Sequence, residues 1–277
     1  MPELPEVETV VRELRRGIVG KKIKSAESDT PQLFETRSVL KSIHRLLAGD
    51  SIAAIDRRGK YILIHLSSYR ILVVHLKMTG HFLIVTRDMG HGTSKNYIRF
   101  RMKFTDGSGL LFSDVRKFGR IWVMPRAHLA DFFSRRQLAH DALSPQCSEK
   151  YLHAQLSRDR AIKALLLDQS CVAGIGNIYS DEILWVARIH PLRKGSNLAE
   201  AEVRRIFQAM RDILKLAIKT GGTSIRNYRK PSGQYGSFQN HRSVYQRAGL
   251  PCLRCGALIQ RIVVAQRSAH FCPRCQS

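Results

Sequence analysis

The hydrophobic spacing along the chain changes twice. Near the start, Val7, Val10, Val11, Leu14 and Ile18 recur at helical intervals, and Pro5 followed by Glu6 and Glu8 makes a favourable first turn. An amphipathic helix is therefore predicted from Pro5 to Ile18. On this reading Glu6 and Glu8 complement the helix dipole, whereas Glu3 lies before the helix and is not explained by it. From Ser51 to Val123 the period falls to two, with strand-like runs at Tyr61 to Leu66, Ile71 to Leu76, His81 to Val85, Tyr97 to Phe104 and Leu110 to Phe112. Alternation is cleanest in Tyr97 to Phe104. Ile98, Phe100, Met102 and Phe104 share one face, Arg99, Arg101 and Lys103 the other, and Asp106-Gly107 supplies a hairpin turn. Short strands without intervening helices predict a sandwich or barrel rather than a parallel sheet.

Helical spacing returns after a linker centred on Ser144 and Pro145. Ile162, Leu165 and Leu166 begin one helix, and Tyr179, Ile183, Val186 and Ala187 mark the face of another, with the sharp turn Ala173-Gly174-Ile175-Gly176-Asn177 between them. A longer helix carries Val203, Ile206, Phe207, Met210, Ile213 and Leu214 and ends near Gly221-Gly222. The polar, glycine-rich stretch from Thr223 to Arg242 is too long for an ordinary connection and is expected to be functional or mobile rather than a simple linker.

Charge sharpens this outline. The 277 residues hold 46 Lys+Arg against 22 Asp+Glu, a net charge of +24, which calls for a polyanionic partner, either nucleic acid or an acidic membrane. After Asp212 no acidic residue occurs in the remaining 65, which carry eleven basic residues from Lys215 to Arg274. The opposite anomaly is at the start, where Glu3, Glu6 and Glu8 crowd the first eight residues. No apolar run approaches a membrane span, and MPELPEVE lacks the features of a signal peptide, so a soluble intracellular protein is expected.

Three motifs carry chemistry. Cys252-x2-Cys255-x16-Cys272-x2-Cys275 has the spacing of a four-thiolate zinc ribbon, whose closed ligand set implies one structural, non-catalytic Zn2+. Cys147 and Cys171 fall outside it. Gly174-Ile175-Gly176-Asn177 opens a helix whose free N–H groups suit a phosphate, although an ordinary tight turn explains it as well. Pro2 matters only once Met1 is removed. Its secondary amine then becomes a nucleophile able to form an iminium with a sugar carbon, neutral at pH 7 far more often than a lysine because its reference pKa is lower by about 2.5 units. Glu3, beside it, is placed to donate a proton.

Taken together, MPELPEVE, DRRGKYIL, HLKMTG, DVRKFG, IKALLLDQSCVAGIGNIYSDEIL, GGTSIRNY and CPRCQ closely resemble the formamidopyrimidine-DNA glycosylase and endonuclease VIII family across the whole chain. The resemblance implies an α+β protein of two domains, an N-terminal β-sandwich with an N-terminal helix and a C-terminal helix-two-turns-helix module plus zinc ribbon. Its expected divisions are a catalytic domain over 1–135, a linker over 136–150, the helical domain over 151–222, a lesion-capping loop over 223–241 and the zinc finger over 242–277. It implies Pro2 as Schiff-base nucleophile, Glu3 as the acid assisting sugar-ring opening, and Lys60, Asn177 and Arg267 as phosphate ligands around a flipped nucleotide. Lys60 and Arg267 are also linked to β- and δ-elimination. Met78, Arg116 and Phe118 would fill the gap left in the base stack. Family members commonly carry a DNA-contacting His before the strand near Ile98; here the chain reads Lys95-Asn96-Tyr97, so Asn96 is the expected substitute.

The resulting expectation is a monomeric, cytoplasmic and nucleoid-associated base-excision-repair enzyme. It would remove oxidised purines from double-stranded DNA and cleave the abasic site by β- and δ-elimination. Two alternatives stand beside it: an oxidised-pyrimidine glycosylase of the endonuclease VIII type, and a non-catalytic zinc-ribbon DNA-binding protein. The second explains the charge and the cysteines but not the acidic N-terminus.

Overall fold

Residues 1–35, 37–86, 97–224 and 228–277 are described by the computed structural model. Contacts divide it into two units, residues 1–132 with 221–237, and residues 133–220 with 238–277. In the first, α1 (Leu4–Ile18) is followed by β1 (Ile23–Glu27), α2 (Arg37–Leu47), β2 (Ile52–Arg58), β3 (Tyr61–Leu66), β4 (Arg70–His75), β5 (His81–Val85), β6 (Ile98–Phe104), β7 (Gly109–Ser113) and β8 (Arg120–Pro125). The strands form two four-stranded sheets of order β1-β6-β7-β5 and β2-β3-β4-β8, antiparallel throughout.

One apolar core joins the sheets to α1. Val7, Val10, Val11, Leu14 and Ile18 pack with Ile55, Ile62, Ile64, Leu72 and Val74 of one sheet and with Phe82, Phe100, Met102, Phe104, Leu110 and Phe112 of the other. The alternation read in Tyr97 to Phe104 is the inward–outward pattern of β6. Periodicity did not mark β1, β2 or α2. In IKSAE and IAAIDRR the buried residues fall three apart, Ile23 and Ala26, Ile52 and Ile55, because a register shift interrupts each strand and breaks the period of two. At the end of β8, Pro125 is tolerated because β8 is a sheet edge.

The helix boundary brings a correction. Helix α1 begins at Leu4, and Glu3 occupies its N-cap rather than lying outside its reach. Glu6, at the third helical position, accepts a hydrogen bond from the Glu3 backbone N–H at 2.8 Å. This is one arm of a capping box, in which a first-turn acid satisfies a backbone donor the helix itself leaves open.

Helix α3 (Leu129–Ser134) spans the division between the units. The second unit contains α4 (Glu149–Leu156), α5 (Ile162–Leu167), α6 (Asn177–Ala187), α7 (Glu200–Lys219) and the hairpin β9 (Gln260–Val264) and β10 (Arg267–Phe271). Between α3 and α4 the chain is held by backbone bonds, Ala139 N–H to Gln169 O at 2.9 Å and Ala142 N–H to Ala173 O at 3.0 Å. Helix α6 departs from a simple amphipathic pattern. Val186 is at the surface, while the polar Ser180, Asp181 and Glu182 are buried. Their partners explain why. Lys163 is fully buried and its ammonium donates to an Asp181 carboxylate oxygen and, at 2.8 Å, to Ser268 O. The other Asp181 oxygen accepts from His270 N–H at 2.9 Å. Glu182 accepts from the backbone N–H groups of Ser243, Val244 and Tyr245 at 2.8, 3.0 and 2.8 Å. Burial pushes the Glu182 carboxyl up against the opposing pull of these three amides. Among the described residues no helix is long and apolar enough to cross a membrane.

Candidate active site and zinc centre

Pro2 and Glu3 are both buried, whereas Met1 is half exposed. The capping role of Glu6 is only part of what it does. Its Oε1 accepts from Thr223 N–H at 2.7 Å, and its backbone oxygen accepts from the Tyr228 hydroxyl at 3.2 Å. The first turn of α1 is thereby tied to the beginning and the far side of the polar loop that follows α7. Gly222 makes the approach possible. It has φ +80°, and a Cβ there would lie 2.8 Å from Glu6 Oε1. The loop also leans on α1 and β5 through Ser232 N–H to Glu13 Oε2 at 2.9 Å and Ile84 N–H to Pro231 O at 3.2 Å.

Lys60 is buried in the tight turn between β2 and β3. Arg57 fixes that turn against α1, donating to Glu8 Oε2 at 3.0 Å and to Gly59 O at 3.0 Å. His75, at the end of β4, is buried against Tyr61, their rings 4.8 Å apart edge to face. Burial, then the charges of Lys77 and Lys60, lower its imidazole to about 3. It is therefore neutral at working pH, and Nδ1 accepts from Lys77 N–H at 3.0 Å.

Met78, Arg116 and Phe118 come from two loops, and the fold brings them together. The Arg116 guanidinium stacks 4.5 Å from the Phe118 ring centre and donates to Met78 Sδ at 3.1 Å. Met78 is 43% exposed and Phe118 44%, so apolar surface is offered to solvent beside a cation. Asn96 lies outside the described residues, as do residues 225–227 of the expected capping loop.

In the second unit, Asn177 is the first residue of α6, capped by Gly176 as the Gly-Ile-Gly-Asn turn predicts. Its buried Oδ1 has no hydrogen-bond partner among the described residues. Arg267 is exposed at the start of β10, immediately after the turn Ala265-Gln266, both residues of which have positive φ. The thiol sulfurs of Cys252, Cys255, Cys272 and Cys275 all lie within 4.8 Å of one another. Four thiolates around Zn2+ at about 2.3 Å require S···S separations of about 3.8 Å, so the donor set and its spacing fit one structural zinc. Outer contacts orient the ligands: Trp185 Nε1–H and Arg254 N–H point to Cys252 Sγ at 3.5 and 3.4 Å. The rest of the ribbon core is small, chiefly Val244 and Ile259. Cys147 and Cys171 are buried free thiols, and burial pushes Cys147 up to about 11, so it stays protonated.

Sequence reasoning missed Glu6 as a loop anchor, although Glu3-x-x-Glu6 has capping-box spacing and was the available signal. Nothing local marks Arg57, because the Glu8 carboxylate it holds is on another element, and nothing local marks His75, because its burial against Tyr61 exists only in the folded sheet.

An antiparallel sandwich with a buried acidic N-terminus, a helical unit bearing a zinc ribbon and a strongly basic overall charge define a zinc-containing protein built to handle nucleic acid. Residues 1–121 match the formamidopyrimidine-DNA glycosylase N-terminal domain, residues 138–229 its H2TH domain, and residues 249–277 the zinc finger found in FPG and IleRS. The chain is 41% identical to the formamidopyrimidine-DNA glycosylase of Lactiplantibacillus plantarum, covering 99% of this chain and 98% of that one. It is 42% identical to that of Chloroflexus aurantiacus, covering 100% and 98%. Among solved structures it is similar to Lactococcus lactis Fpg in complex with an abasic site containing DNA, with a TM-score of 0.90, 38% identity and 99% coverage of both chains. A MutM complex with carbocyclic 8-oxo-G containing DNA gives a TM-score of 0.90 and 38% identity over 100% of both chains. The chain belongs to the formamidopyrimidine-DNA glycosylase family of DNA-repair enzymes.

Proposed function

We propose that this protein is a bifunctional DNA glycosylase and abasic-site lyase that acts on oxidised purines in double-stranded DNA. The observation that carries the reading is the buried Pro2-Glu3 pair, held at the start of α1 by Glu6, which also grips the loop at Thr223. Removal of Met1 frees the Pro2 amine. That amine attacks C1′ of the damaged nucleotide, the base leaves with the electron pair of the glycosidic bond, and an iminium forms once the sugar ring opens. Glu3 supplies the proton for ring opening. β-Elimination then breaks the C3′–O bond and δ-elimination the C5′–O bond. Lys60 and Arg267 serve as phosphate ligands and proton-transfer groups in these steps, and Asn177 serves as a phosphate ligand at the N-terminus of α6.

Met78, Arg116 and Phe118 occupy the space the flipped base vacates, with the apolar groups replacing stacking and the guanidinium providing polar contact. The loop from Thr223 to Phe238 covers the base. Its length and glycine content resemble the oxidised-purine branch of the family and favour that assignment over the oxidised-pyrimidine one, and Asn96 stands in for the family's DNA-contacting histidine. Zinc holds the ribbon that carries Arg267, and the protein works in the cytoplasm on the nucleoid.

Borohydride reduction of the enzyme on a duplex containing 8-oxoguanine tests the reading. The expected product is a DNA-linked peptide beginning at Pro2, and protein that retains Met1 should give none. Crosslinking that maps to a lysine would overturn the nucleophile. Faster processing of thymine glycol than of 8-oxoguanine would move the enzyme to the pyrimidine class.

A further inference from the structure

The two loops that present Met78, Arg116 and Phe118 are joined beneath the surface by a pair of residues with no part in the chemistry above. Thr79 and Asp114 are both buried, Asp114 completely. The Thr79 hydroxyl donates to Asp114 Oδ1. Arg116 N–H reaches both Thr79 Oγ1 and Asp114 Oδ1 at 3.2 Å, and Asp114 Oδ2 accepts from Gly119 N–H at 2.7 Å. One carboxylate thus closes its own loop and binds the neighbouring one. Arg99 Nε donates to Asp114 O at 2.9 Å and anchors the assembly to β6.

Three further features show that the geometry is imposed. Lys77 and Lys117 have φ of 55° and 56°, so in each loop the residue just before the exposed apolar side chain is a lysine in the left-handed region, a conformation surroundings must enforce. Gly80 and Gly119 approach the same ring from the two loops: a Cβ on either would lie 2.7 or 2.6 Å from Phe112 Cζ. Arg120 donates to the carbonyls of Lys117, Phe118 and Gly119 at 3.3, 3.2 and 2.8 Å. Nothing of this kind is needed merely to end two strands.

We infer that Thr79 and Asp114 are positioning residues, a hydroxyl–carboxylate lock that holds the two loops in register so that Met78, Arg116 and Phe118 enter the base stack as one preassembled wedge. The inference rests on the wedge reading proposed above. Preassembly matters because a side chain that must first be ordered returns less of its contact energy to base extrusion. The lock therefore governs the step that opens the duplex and leaves chemistry at an already empty site alone.

Thr79→Val removes the hydroxyl and nearly keeps the shape, Thr79→Ser keeps the hydroxyl, and Asp114→Asn tests the carboxylate independently. Each is assayed in single turnover on a duplex containing 8-oxoguanine and on the same duplex with a preformed abasic site, with 2-aminopurine beside the lesion reporting unstacking. Thr79→Val and Asp114→Asn should slow excision and the unstacking signal by about tenfold, the scale of one buried hydrogen bond lost in a rate-setting step. Cleavage of the abasic duplex should change less than about twofold, and Thr79→Ser should behave as wild type. Equal losses on both substrates, or a Thr79→Val enzyme with normal unstacking, would overturn the lock. Arg116→Ala and Phe118→Ala run alongside. If these slow excision while the lock variants do not, the lock alone fails; if they leave excision untouched, the wedge reading falls and takes the lock with it.

Discussion

Each unit buries two acids on one helix, Glu3 and Glu6 at the start of α1 and Asp181 and Glu182 on α6, and the two pairs are used differently. On α6, Asp181 and Glu182 are consumed by architecture: Lys163 neutralises one, backbone amides of 243–245 fill the other, and both hold the chain leading into and through the ribbon. At the start of α1, Glu6 does similar work for Glu3 N–H and Thr223 N–H, but Glu3 adjoins the buried Pro2, the residue proposed above as the nucleophile. Burial of a carboxylate is therefore no sign of catalysis by itself. In this chain the same device holds the ribbon in one place and ties the first turn of α1 to the loop after α7 in the other.

The sharpest way to break the comparison is to remove the metal. Cys255→Ser should abolish stoichiometric zinc and unfold the ribbon, because little apolar core remains without it, and Duplex binding should fall with it. Retained zinc, or a ribbon still protected from proteolysis, would contradict this. Next in size is Lys163→Met, which takes the ammonium partner from the buried Asp181 and leaves it His270 alone. The expected loss in chemical denaturation is about 3–5 kcal/mol, and Lys163→Met with Asp181→Leu should recover most of it. In the first unit Glu6→Gln keeps an acceptor but turns an amide NH2 toward a backbone donor. It should cost about 1–3 kcal/mol and raise proteolytic cutting in 223–237, with the ribbon unaffected.

His75 sharpens the comparison through pH. Its folded-state pKa of about 3 lies below the unfolded value of 6.5, so the unfolded chain binds the extra proton first as pH falls. The neutral ring's contribution is complete above pH 6.5 and declines from there toward pH 3. Between pH 7 and pH 5 it amounts to about 2 kcal/mol, and His75→Asn should flatten the pH dependence of stability by that amount. The smallest effect is expected from Arg267→Ala, which should reduce the slope of log affinity against log salt by about one without altering fold or zinc content.

What could be read locally differs from what could not. Four cysteines at fixed spacing announce their ligand because thiolate coordination needs only two knuckles, each within a few residues, and Val7 to Ile18 announce a helix because the period lies in the string itself. The convergence of Met78 with Arg116 and Phe118 is not local. They belong to segments nearly forty positions apart, and the Thr79–Asp114 bond that unites them exists only after β4 and β7 have taken their places in separate sheets. Glu3 is an intermediate case, since its capping partner is three residues away, but the amide of Thr223 that completes the arrangement is 217 positions from Glu6.

The sequence by itself determined the zinc ribbon, the leading helix, the inward face of β6, the basic character of the C-terminal quarter and the family. The family rests on the resemblance of its joint motifs; the others depend on short-range spacing or on bulk charge, and neither needs a partner from another element. Only the tertiary structure decided which buried acids are architectural, that His75 is held neutral, and that two loops share one lock. Those outcomes depend on desolvation and on hydrogen-bond partners from distant segments, which become defined only when the chain has packed.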